Sequence, residues 1–338
     1  MHGQKKGQLL KRLFFLVIAV ALLWSGYWVV GSRGVSAGLT AWFDARRAEG
    51  WVADYDDFAV RGFPNRFDAT WQGLTLADPD SGLAWTMPQF QLLALSYRPN
   101  HVIAAWPREM QIATPTDKLT VASDILRASL RLRAGPALEL ERAVLEGQAL
   151  ALSGAQTGGL DELHLAADRT GDTTYRLGLS ATDLTPPASV LRALFGDQAL
   201  PDTMQSLRLD ATATFDRPWD ISALEDRRPQ PTAIDLADLR AKWGVMEFQA
   251  RGELTIDASS RASGTLAMQA VNWQDMLEIA RASGALTETA ATATRTVLEL
   301  AAKSSGNPNS IDVEVTFRNG TAFVGIVPIG PAPYIFLR

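Results

Sequence analysis

The stretch Leu13 to Val30, LFFLVIAVALLWSGYWVV, is eighteen residues without a charge. No other feature of the chain restricts its folding so strongly. As a helix it extends about 27 Å, at roughly 1.5 Å per residue, against about 30 Å of bilayer hydrocarbon. Trp24, Tyr27 and Trp28 sit near its far end, where interfacial aromatics belong. Lys11 and Arg12 stand at the near end, within snorkelling reach. The reading is a transmembrane anchor over 13–30, with a basic cytoplasmic tail over 1–12. The remainder is then expected outside, giving a single-pass inner-membrane protein with a periplasmic body. The alternative is a signal peptide cleaved after Ala37, since Val35-Ser36-Ala37 offers a small-residue site.

Charge supports this division. Lys5, Lys6, Lys11 and Arg12 precede the apolar run, and no acid occurs before Asp44. Of 32 basic side chains, 28 remain to face 37 acidic ones, so the body carries about −9. An acidic body argues against nucleic-acid binding, which depends on phosphate neutralisation. The chain has no cysteine and three histidines, His2, His101 and His164. Disulfides and thiolate chemistry are excluded, and two separated histidines in the body are a poor basis for a metal site.

Beyond the anchor, residues 31–50 read as a linker and short helix (Gly38–Gly50), and 51–338 as a β-rich domain. A soft boundary near Pro229–Pro231 divides it into two halves. Period-two alternation dominates. In SLRLDATATF, Leu207, Leu209, Ala211, Ala213 and Phe215 share one face. MEFQARGELTID and IDVEVTFR repeat the pattern, and SLRLRAG, ELHLAAD, TYRLGLSA and GTLAMQA are shorter cases. Strict alternation marks half-buried antiparallel strands. Asn319-Gly320 predicts a type I′ hairpin. Helices are expected after Pro186-Pro187, after Asn272 as N-cap with Gly284 ending it, and over Thr287–Gly306. Ser222–Pro231 reads as a polar loop, and the proline-rich end GIVPIGPAPYIFLR as an edge strand. The expected fold is mainly β with a few helices: an N-terminal transmembrane helix and then a curved, largely antiparallel sheet, half-pipe or sandwich-like. One-sided strands need a cover, and alternation does not separate a filled core from an open apolar trough.

The stretches GFPNRFDATWQGLTLADPDSGLAW, MPQFQLLALSYRPNHVIAAWP and IDVEVTFRNGTAFVGIVPIGPAP resemble a bacterial family, domain of unknown function 2125. That likeness carries no activity. More remotely, WGVMEFQARGELTIDASSRASGTLAMQAVNW is similar in style to AsmA-like envelope proteins. This second resemblance implies a membrane-anchored periplasmic trough connected with lipid homeostasis or transport.

Motifs for chemistry are scarce. No G-x-S-x-G, glycine-rich phosphate loop, H-E-x-x-H or EF-hand pattern occurs, so neither an enzyme nor a cofactor or metal is expected. Asp78-Pro79-Asp80-Ser81-Gly82 is a turn rather than a calcium loop. Tyr97, Arg98 and His101 form a weak polar candidate, read more simply as a Pro99-Asn100 turn between strands. In RGFPNRFDATW, Gly62-Phe63-Pro64 is a turn and Phe67, Ala69 and Trp71 begin a strand. Arg61 and Arg66 are the cations best placed for a lipid head group. The leading function is lipid binding on the sheet. The rival is a structural or assembly role with an envelope protein partner, through a sheet edge.

Overall fold

The structure is a computed structural model that describes residues 2–196, 200–225, 227–284 and 286–337. Met1, Asp226 and Arg338 lie outside the described residues, as do the side chains of 2–10, including Lys5 and Lys6. Strands dominate and every pairing described between them is antiparallel, as alternation requires. The chain forms two compact units, Met1–Thr116 and Asp117–Arg338. Pro229–Pro231 lies inside the second.

The first unit is a helix on a sheet. Helix α1 spans His2–Ala48 without interruption. A separate short helix beginning at Gly38 is therefore not seen. The part of 31–50 read as a linker is helical as well, Gly31, Gly34 and Gly38 included. The physical reason is packing: Gly31 lies under the ring of Phe67, where a Cβ would come within 2.5 Å of Cζ. Residues from Leu13 to Leu23 are exposed, whereas Phe43 and Ser32 are buried. The sheet comprises β1 (Val52–Asp54), β2 (Asp57–Arg61), β3 (Arg66–Ala77), β4 (Ala84–Leu95), β5 (Arg98–Ala105) and β6 (Glu109–Ala113). Strands β1 and β2 flank one side of β3 in succession, and β5 and β6 flank β4 likewise. Phe67, Ala69 and Trp71 are at most 4 % exposed, so the alternation read from Arg66 onward is the buried face. Trp71 stacks on Phe58 at 4.8 Å and meets Phe43 of α1 at 5.8 Å.

The second unit is a meander of long strands. They are β7 (Lys118–Ala122), β8 (Ile125–Leu132), β9 (Leu140–Gly154), β10 (Gly158–Arg169), β11 (Thr174–Leu184), β12 (Met204–Phe215), β13 (Pro231–Trp243), β14 (Met246–Ile256), β15 (Ala262–Val271), β16 (Ser310–Arg318), β17 (Thr321–Val324) and β18 (Val327–Pro331). From β8 to β18 each pairs with the next, and β7 also pairs with β9. Asn319 and Gly320, at φ 52° and 73°, make the two-residue turn between β16 and β17.

Among the described residues four helices interrupt the meander, three of them in stretches read as helical. They are α2 (Ala188–Phe195), α3 (Ser222–Glu225), α4 (Trp273–Ala282) and α5 (Glu288–Ser305). Thr287 caps α5 by accepting from the Ala290 N–H at 3.3 Å, and Gly306 ends it at φ 78°. Asn272 does stand at the start of α4, but in the left-handed region; its amide donates to the Val245 carbonyl at 2.6 Å instead of capping. The Ser222–Pro231 stretch opens with the helical turn α3 rather than running as loop throughout.

Candidate functional site

Cross-strand register in the second unit aligns the alternating residues into continuous apolar rows. One row runs Ala128, Leu145, Leu165, Leu179, Leu209, Leu239, Ala250, Met268, Val313, crossing nine strands from β8 to β16. A second row, from Leu126 to Ile311, includes Leu163, Leu207 and Phe248. A third, from Leu130 to Val315, includes Leu177, Leu236 and Leu266. Leu236 and Leu239 are three apart yet share this face, because an irregularity between them adds one residue to β13.

The cover of this face is uneven. Over β13 to β16 the face carries a packed core, with Leu254, Leu266, Val315 and Phe317 each at most 8 % exposed and the partly buried Leu239, Phe248, Met268 and Val313 packed against it. Helices α4 and α5 seat Trp273, Leu277, Leu298 and Ala302 against Ala270 and Ile311. The segment after β18 crosses the strand ends. Its Ala332 N–H donates to the Gly320 carbonyl at 3.0 Å, its Ile335 N–H to Ser260 at 2.8 Å, and its Leu337 N–H to the Gln230 side chain at 2.9 Å. Over β8 to β11, Leu126, Leu145, Leu163, Leu165 and Leu179 are only partly buried and Leu130 is 41 % exposed, while Leu177 packs against the buried cluster of Tyr175, Ala213 and Phe215. The face is thus a filled core at one side of the meander and a leucine-lined surface at the other. Three strand spacings of about 4.8 Å make that surface about 14 Å wide from β8 to β11.

The opposite face is polar. Arg127 meets Glu146 at 2.6 Å, Lys242 meets Glu247 at 2.8 Å, and Arg176 clasps Asp210 through two bonds of 3.0 and 2.7 Å. The hydrogen bonds from Arg176 hold the Asp210 carboxyl below its usual range. Asp257 is also held low, by the Ser259 hydroxyl and backbone N–H groups in the β14–β15 turn. These are solvated ion pairs and turn bonds, worth little individually.

The residues singled out from the sequence lie in the first unit, at one end of its sheet. Arg61 ends β2 and pairs in register with Asp68, and Arg66 Nε meets the Asp68 carboxylate at 2.9 Å. Arg61 and Asp68 line a polar recess of about 310 Å³ together with Thr70, Gln72, Gln89 and Gln91. Tyr97, Arg98 and His101 are not among its lining residues. The turn there is Ser96-Tyr97, with Leu95 opposite Arg98, so it comes three residues before the expected Pro99-Asn100. Pro99 and Asn100 are strand residues of β5. The reason is Ser96, which is fully buried: its N–H donates to the Asn65 carbonyl at 2.8 Å and its hydroxyl to Pro64 at 3.3 Å.

Helix α1 itself completes this end. Trp24 Nε1 donates to the Pro64 carbonyl at 2.9 Å, Tyr27 Oη to the Ser96 carbonyl at 2.5 Å, and Trp28 Nε1 to the Arg66 carbonyl at 2.7 Å. Trp28 also meets Phe63 edge-on at 5.5 Å. The sequence placed these aromatics at an interface but held no signal for their hydrogen-bond partners, which lie 38 to 69 residues away. Elsewhere Asp78 holds its turn through Ser81 Oγ at 2.7 Å and the Asp80 N–H at 3.0 Å, which depress its pKa. Among the described residues no group of three His, Asp or Glu side chains is arranged to hold a metal ion.

No curated protein and no solved structure matches the chain. A family model matches residues 28–333, covering all three apolar rows and α1 from Trp28 onward. The chain therefore belongs to the DUF2125 family, described as an uncharacterized protein conserved in bacteria.

Proposed function

We propose that this protein is a single-pass membrane protein of the bacterial envelope that binds lipid acyl chains on the leucine face of its second unit. The observation that carries the reading is the uneven cover of one continuous apolar face: packed under helices over β13 to β16, half-open over β8 to β11. Fully burying a leucine stabilises by about 1.5–3 kcal/mol. Leu126, Leu145, Leu163, Leu165 and Leu179, each with no more than about a third of its surface open, thus leave roughly 3 kcal/mol unclaimed, before the cost of ordering a ligand is subtracted. The width of about 14 Å approaches one leaflet's share, about 15 Å, of the hydrocarbon thickness. The helix with its uncharged run at Leu13–Val30 supports membrane residence, and the basic tail favours a periplasmic body. In this reading no side chain performs chemistry.

The test is photo-crosslinking in cells, with p-benzoylphenylalanine in place of Leu165 or Leu179 and, on the opposite face, Arg176 or Arg208. Lipid adducts at the leucines and none at the arginines support the reading. Equal labelling of both faces, or protein adducts alone at the leucines, overturns it; the latter would favour an assembly role with a protein partner.

A further inference from the structure

Two hairpin turns and the anchor are bonded into one piece, and this fixes how deep the turns lie. With Arg12 at the near boundary of the hydrocarbon, Trp24 is about 18 Å and Trp28 about 24 Å along the helix. The far boundary lies at about 30 Å. The carbonyls of Pro64 and Arg66, bonded to those two indoles, are therefore about 6–12 Å inside it, and any tilt of the helix only deepens them.

The turns are built for such a place. Backbone polar groups within hydrocarbon must be satisfied internally. Gly62 O accepts from the N–H groups of Asn65 and Arg66, Asn65 O from Ser96 N, and Pro64 brings no N–H. The carbonyls of Pro64, Arg66 and Ser96 accept from the anchor's Trp24, Trp28 and Tyr27. At the tips Phe63 is 57 % and Tyr97 56 % exposed, beside the exposed polar Asn65 and Arg66, the latter paired with Asp68. Arg61 stands two residues behind Phe63, about 7 Å along the strand, from where its long side chain can snorkel to the head groups.

We propose that the Gly62–Asn65 and Ser96–Tyr97 turns are seated in the bilayer's far interface, with Phe63 and Tyr97 as a wedge and Arg61 and Arg98 at the head groups. The partner is the lipid surface itself. The seating rests on the reading of α1 as a membrane span. It makes the first unit a foot that holds one sheet end at the lipid, rather than a body tethered by a free linker.

The chain has no cysteine, so single-cysteine spin labelling is clean. The full chain is reconstituted into vesicles of equal parts phosphatidylcholine and phosphatidylglycerol. Nitroxides are placed through F63C, Y97C, V20C and D80C, all at exposed positions. Asp80 lies in the turn at the other end of β3, about 40 Å away at roughly 3.3 Å per residue. Relaxation by oxygen against a water-soluble nickel complex reads depth. The expected result is an oxygen-to-nickel ratio at 63 and 97 several-fold above that at 80, approaching the value at 20. Water-like ratios at 63 and 97 with a lipid-like value at 20 overturn the seating alone. A water-like value at 20 overturns the span and the seating together.

Discussion

Three glycines in α1 test the continuity of that helix in opposite directions. Gly34 and Gly38 are exposed, and a Cβ at either meets nothing within 4 Å. Glycine inside a helix costs about 0.8–1 kcal/mol relative to alanine. Gly34→Ala with Gly38→Ala is therefore expected to stabilise by about 2 kcal/mol. Gly31 differs. Its Cβ would lie 2.5 Å from Phe67 Cζ and 3.3 Å from both Cε atoms. Ordinary carbon contacts are about 3.5–4.0 Å, so the ring must retreat by about 1 Å. Phe67 is 4 % exposed and held between Tyr27 and Trp28, with ring centroids at 6.4 and 6.1 Å. Overpacking costs about 1–3 kcal/mol, which exceeds or cancels the helical gain and leaves Gly31→Ala about 1 kcal/mol destabilised. The predicted gap between the variants is about 3 kcal/mol, or roughly 6 °C at about 2 °C per kcal/mol. Thermal unfolding of the full chain in detergent, followed by near-ultraviolet circular dichroism, measures it. Equal shifts for all three glycines, or a lower Tm for the Gly34 and Gly38 variants, would refute a continuous helix packed on Phe67.

Two further outcomes follow from packing and burial in the second unit. Trp273 is 2 % exposed, packs among Leu277, Leu298 and Ile311, and donates to the Pro308 carbonyl at 3.1 Å. Trp273→Ala should cost about 3–5 kcal/mol in urea unfolding, and a loss below about 1 kcal/mol would mean that α4 is not seated there. Tyr175 is 1 % exposed and its burial raises its pKa above the ordinary value near 10, with its hydroxyl donating to the Leu140 carbonyl at 3.2 Å. Because the folded pKa is the higher one, this contribution is complete below about pH 10 and is lost as pH rises through the folded value. Tyr175→Phe should therefore flatten the alkaline fall in stability, and an unchanged fall would show that other groups cause it.

The alternation of SLRLDATATF and MEFQARGELTID was enough to assign antiparallel strands with one dry face, because side chains reverse direction at every residue whatever lies across the sheet. The caps Thr287 and Gly306, the Asn319-Gly320 turn and the uncharged Leu13–Val30 run were legible for the same reason: each expresses physics local to a few residues. Position in sequence did not reveal which leucines are covered. Leu254 and Leu266 have the same local pattern as Leu165 and Leu179, and only the strand order and the placement of α4 and α5 decide that some are core and others surface. Nor could spacing show that Trp24, Tyr27 and Trp28 hold the turns at Pro64, Arg66 and Ser96, or that Gly31 belongs inside a helix. Those facts depend on contacts between segments far apart in the chain, whose energies are set by what the fold brings within reach, and on that a single segment's composition is silent.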